Sequence, residues 1–128
     1  MRTALLVLFV CLLAAPFING QEKKRSDPCS SADNQAEMNN CAGREYKAAD
    51  AALNQVYKQL VSMLDDTEKS GLKEAQVAWL KYRDTNCDFV ADQYKGGSMR
   101  PMIHGLCLAD MTSNRTTELK SQIKDRSN

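Results

Sequence analysis

The sequence predicts an all-α protein: a small, disulfide-stapled helical bundle built on a long antiparallel helix hairpin plus a third helix. Three observations carry this. Apolar residues recur at three- and four-residue steps over three long stretches, and the two-residue alternation of a strand appears nowhere. The first two stretches are separated only by a short polar turn around Asp65-Asp66-Thr67. Four cysteines, Cys29, Cys41, Cys87 and Cys107, lie outside the N-terminal apolar run, an even number suited to two disulfides.

The N-terminus reads as a secretory signal. Arg2 precedes the uncharged apolar run Ala4 to Ala15, and Pro16-Phe17-Ile18-Asn19-Gly20 offers a cleavage site. We place the cut after Gly20, with Ala15 as the alternative, so that 1–20 is the signal peptide. The run is too short for a membrane span. Cys11 falls inside it, but Phe9-Val10 is too bulky for a lipoprotein signal. The product is therefore expected to be secreted or periplasmic, without a membrane anchor. The mature chain of about 108 residues is enough for one domain. Without Arg2 the 17 basic residues become 16, against 16 acidic ones. Such a balanced chain lacks the basic surplus that nucleic acid or an anionic membrane would require.

Residues 21–28 are charged and apolar-free and read as a flexible leader to a helical domain over 29–125. Helix one is expected from Asn34 to Leu64. It starts among the cap formers Ser30 to Asp33, with Glu37 positioned for an imperfect capping box. Its apolar face takes Ala42, Tyr46, Ala49, Leu53, Val56, Tyr57, Leu60 and Leu64. Thr67 to Gly71 reads as the turn. Helix two, Leu72 to Tyr94, puts Leu72, Ala75, Gln76, Trp79, Arg83, Asn86 and Val90 on one face, an unusual mixture of apolar and polar groups. Gly96-Gly97 should end it, because glycine accepts positive φ. Gly97 to His104, which contains Pro101, reads as a loop. Helix three, Leu106 to Lys124, turns Leu108, Thr112, Arg115, Leu119 and Ile123 to one side.

Folding helix one onto helix two about Thr67–Glu68 sets Asp50 level with Thr85 and within a turn of Arg83. This predicts a partly buried Asp50–Arg83 ion pair, of which losing one member should cost about 3–5 kcal/mol. The same register sets Cys41 level with about Tyr94, roughly 10 Å of helix from Cys87. Cys41 also points off the packing face. Cys29–Cys41 and Cys87–Cys107 are therefore the expected disulfides. Zinc is the competing use of these cysteines, but no C-x-x-C is present and His104 is the single histidine, so no metal or other cofactor is expected.

In order, the chain presents Cys29, Gln35 to Ala42, Tyr46, Asp50, Leu53-Asn54 and Tyr57. Gln76, Ala78-Trp79-Leu80, Tyr82-Arg83-Asp84, Cys87, Gly96-Gly97-Ser98, Cys107, Thr112 and Arg115 follow. This order, from Cys29 to Leu119, resembles the lysozyme inhibitor LprI-type N-terminal domain family, small exported domains found mainly in bacteria. The resemblance implies a disulfide-bonded helical domain that inhibits a lysozyme. It supplies no catalytic residues.

Asp50, Gln76, Trp79, Arg83 and Arg115 are more simply a structural network than a reaction site. A Ser98–His104 hydrolase lacks the strand–turn–helix setting of such nucleophiles. Asp50 and Asp84 as a glycosidase pair would point apart. The expected function is non-enzymatic binding of a protein partner, a lysozyme whose cleft is occluded. The contact residues are expected to be Gly97, Ser98, Met99, Arg100 and His104 of the tethered loop. Asp84 and Asp88 would join them from an acidic stripe that continues to Asp92 and would attract a basic enzyme. The alternative is a structural or interaction module of the cell envelope. Asn114-Arg115-Thr116 is a glycosylation sequon in a eukaryotic host. Oligomeric state is not legible.

Overall fold

The computed structural model describes residues 28–128. The expected signal peptide and cleavage site, Cys11 and all of the expected leader but Pro28 lie outside them. Among the described residues there are three long helices and no strand: α1 (Gln35–Val61), α2 (Asp66–Ala91) and α3 (Arg100–Arg126). A single 3-10 turn, Asp92–Tyr94, follows α2.

Helix starts account for most departures from the sequence reading. α1 is capped by Asn34, whose side chain accepts from the Glu37 N–H, while the Glu37 carboxylate accepts from the Asp33 N–H. α2 starts at Asp66, six residues before the expected Leu72, because Asp65 and Glu68 form a reciprocal capping box. Gly71 thus lies inside the helix. α3 starts at Arg100, not Leu106, since Pro101 sits in the first turn, where its missing N–H has no partner to lose. The expected 97–104 loop is therefore a short connection followed by a turn of helix. Gly96, at φ +82°, supplies the left-handed residue that the connection needs.

The bundle runs up, down, up. α1 and α2 are antiparallel across a short turn, but the closest backbone approach is between α1 and the parallel α3, with α2 leaning on α3. Small residues permit this approach: a Cβ on Gly105 would stand 3.1 Å from the backbone carbon and Cβ of Ala42. Three layers follow along the axis. Near the α1–α2 turn, Leu53, Val56, Leu60, Leu64, Leu72 and Leu119 form the apolar core, with Tyr57, Val61, Trp79 and Ile123 against it. In the middle sit buried Arg83, Thr112 and Thr116. At the far end Met102 is the large buried apolar side chain among the small residues Ala42, Ala91 and Gly105, and disulfides join Cys29 to Cys41 and Cys87 to Cys107. Each closes a short loop, of the size that contributes about 3 kcal/mol by constraining the unfolded chain.

Substituting Gly105→Val should wedge α1 from α3 and lower unfolding stability by about 1–3 kcal/mol, despite the better helix propensity of valine. Denaturant melts of the oxidised protein check this.

Candidate functional site

Two polar groupings stand out, one inside the bundle and one at its disulfide end. The first is centred on Arg83, which is only 4% exposed. Its guanidinium carbon lies 5.3 Å from the Tyr46 ring centroid on α1 and 5.2 Å from that of Trp79 on α2. Its NH1 donates to the Thr112 hydroxyl on α3 at 3.2 Å. The Asp84 carboxylate, itself well exposed, takes Nε at 2.9 Å and NH2 at 2.8 Å. One cation thus engages all three helices. Arg115 stands at 5.8 Å from the Trp79 ring centroid, donates from Nε to Gln76 at 3.1 Å and pairs with Glu118 at 2.8 Å. Trp79 is thereby contacted by two guanidinium groups, an arrangement in which cation–π attraction and stem packing replace an apolar seam.

Asp50 is not part of this grouping, and the expected Asp50–Arg83 pair is absent. Asp50 accepts from Asn54 one turn along its own helix. The reason is the early start of α2. A turn centred between Val61 and Asp66 lowers the level of every α2 residue against α1, so Arg83 reaches Tyr46, one turn before Asp50. The same shift sets Cys41 level with about Cys87. The distance argument against pairing those two therefore fails, and facing alone separates them: Cys41 bridges outward to Cys29, while Cys87 turns to α3.

The second grouping joins the α2 C-terminus to the first turn of α3. Arg100 pairs with Asp92 at 2.8 Å and Asp88 at 3.4 Å, and His104 Nε2 lies 3.3 Å from the same Asp88 oxygen. The hydrogen bond that Arg100 donates to Asp92, supported by the charges of Asp92 and Asp88, raises the pKa of Arg100. Asn39 of α1 donates to the Ser98 carbonyl at 3.1 Å. The connection is thus held by α1, by α2 and by the Cys87–Cys107 bond. Met111 lies behind that bond, its sulfur 3.6 Å from Cys87 Sγ. Met99 and Tyr94 are exposed beside it.

Of the expected contact residues, Arg100, His104 and Asp88 come together, with Gly97, Ser98 and Met99 alongside. Asp84 faces Arg83 instead, so the acidic stripe is not a free patch: Asp84, Asp88 and Asp92 each already hold an arginine. Asn39 is a participant that sequence reasoning did not assign, and Asp92, expected only as the end of the acidic stripe, is a partner of Arg100. The Asp92–Arg100 pair spans a turn whose end was legible only once Pro101 was seen inside a helix. No hydrogen bond links Ser98 to His104, and among the described residues no group of His, Cys, Asp or Glu could hold a metal ion. No described helix is long and apolar enough to cross a membrane.

A family model described as "Lysozyme inhibitor LprI" matches residues 26–119, almost all of the described bundle. An uncharacterized protein of Rhizobium meliloti (strain 1021) is 36% identical over 141 aligned positions that cover all of both chains. No solved structure matches.

Replacing Arg83 by Ala should cost about 2–5 kcal/mol through lost packing at the helix junction. Asp50→Asn should change stability by less than about 0.5 kcal/mol, as for an ordinary surface site. Paired chemical melts distinguish these outcomes from a buried Asp50–Arg83 bridge, in which both would be severe.

Proposed function

This chain belongs to the lysozyme inhibitor LprI family, and we propose that it is an exported, non-catalytic binding protein that inhibits a lysozyme by covering its substrate cleft. The family match across 26–119 carries the reading. Two cystines accord with an oxidising compartment outside the cytoplasm.

Cleft occlusion requires no reacting group. It requires a surface that keeps its shape, because ordering a mobile loop on binding costs affinity. The disulfide end meets that requirement. The 95–104 segment is tied by Cys87–Cys107, by Arg100 to Asp92 and Asp88, and by Asn39 to the Ser98 carbonyl. Met99 and Tyr94 offer apolar contact, and Arg100, Asp88 and His104 supply polar groups at the same end. Apolar contacts inside a polar rim are the usual anatomy of a protein interface. Because Arg100 already occupies Asp88 and Asp92, long-range attraction of a basic enzyme is a secondary contribution, and salt should weaken inhibition only modestly.

The test is a cell-wall lysis assay in which the oxidised mature chain is titrated against chicken-type, goose-type and invertebrate-type lysozymes. Stoichiometric inhibition of one type is expected, with a loss of at least about tenfold in affinity, or ~1.4 kcal/mol, for the pair Met99→Asp and His104→Ala at unchanged helicity. Full inhibition by that double variant would move the contact elsewhere on the bundle. Inhibition of none of the three would replace the lysozyme reading with an envelope interaction module.

A further inference from the structure

Gly71, Ala75, Ala78, Tyr82, Thr85 and Phe89 follow one another along α2 at three- and four-residue steps, and all six are exposed. Tyr82 is 61% and Phe89 74% exposed. At 100° per residue these positions form one continuous face, about five turns long and without a charge. The buried side of α2, carrying Leu72, Arg83 and Cys87, is turned elsewhere to the bundle. An uncharged helical face with two large aromatic rings in water is an interaction surface.

We propose that this face of α2 pairs with the same face of a second copy of the chain, the two helices running antiparallel about a two-fold axis between Thr85 and Asn86. Such an interface must be self-complementary. Tyr82 and Phe89 satisfy this, because they lie symmetrically about that axis and each meets the other residue of the second copy. Charge selects the register. Lys81, at the border of the face, comes level with residue 90 of the second copy. It therefore falls between Asp88 and Asp92, on the same flank. Those two carboxylates share one arginine, Arg100, and both remain about half exposed, so they can accept a further cation. The other plausible register sets Tyr82 over Ala78 and Phe89 over Gly71. It brings Lys81 against Lys81 and Glu74 against Asp88, and like charges oppose it. A membrane surface is a poorer occupant, since the solvent-side border carries Glu74, Asp88 and Asp92 against the single Lys81. The uncharged face shares no residue with the 95–104 end, although its flanking carboxylates Asp88 and Asp92 also hold Arg100 there; association through Tyr82 and Phe89 is read separately from lysozyme inhibition.

The test combines sedimentation with cysteine cross-linking of the full mature protein. Sedimentation velocity over a protein concentration series should show a reversible dimer, and the pair Tyr82→Glu and Phe89→Glu should abolish it with unchanged circular dichroism. Under mild oxidation Thr85→Cys should give a covalent dimer. Ala78→Cys should not, because the two sulfurs would be separated by roughly 20 Å of helix. A monomer at every concentration would overturn the proposal. So would a dimer indifferent to the glutamate pair, or cross-linking through Ala78→Cys with none through Thr85→Cys.

Discussion

The guanidinium of Arg83 has to remain charged, yet it lies where three helices meet. Everything around it follows from that requirement. A cation in this position needs aromatic faces, a hydroxyl and at least one carboxylate, and every helix supplies part of the set: Tyr46 on α1, Trp79 and Asp84 on α2, and Thr112 on α3. Its carboxylate is exposed, so the pair is only half desolvated and avoids much of the penalty of a fully buried bridge. The contact is demanding in direction as well as in charge. It is satisfied only at one relative rotation and height of the helices, which makes it a register pin between an apolar layer that would tolerate sliding and a disulfide layer that would not.

The division into layers also separates the apolar core from the proposed contact surface. Leucines at the α1–α2 turn supply the hydrophobic contribution. At the opposite end most buried side chains are small, Met102 excepted, the backbones of α1 and α3 approach closely, and two cystines replace apolar volume. A small domain has limited core to spend on its extremities. Covalent ties let that end expose Met99, Arg100 and His104 while keeping the connection fixed. The early start of α3 contributes as well: once Arg100 belongs to a helix, its side chain is directed back onto Asp92 and Asp88. A flexible loop of the same sequence would leave the three to water.

Periodicity alone determined that the protein is helical, that Leu53, Val56, Leu60, Leu108 and Leu119 face inward, that Gln76 and Arg83 share a face with Trp79, and that Arg115 lies on the inward side of its own helix. Those statements depend on the 3.6-residue repeat, which is local and tolerates errors at helix ends. The cystine pairing was also legible, but for one reason out of two: the orientation of Cys41 on its helix holds, whereas its height along the hairpin does not. Which carboxylate meets Arg83, which residues close on Arg100, and which helix packs most tightly on α1 were decided by the tertiary structure. Each depends on where the turns begin, and a shift of a few residues at Asp65 or Pro101 moves every partner by a helical turn or more. The capping box at Asp65 and the tolerance of Pro101 for a first turn are small local energies. Their consequences are long-range because a rigid helix carries the error, undiminished, to its far end.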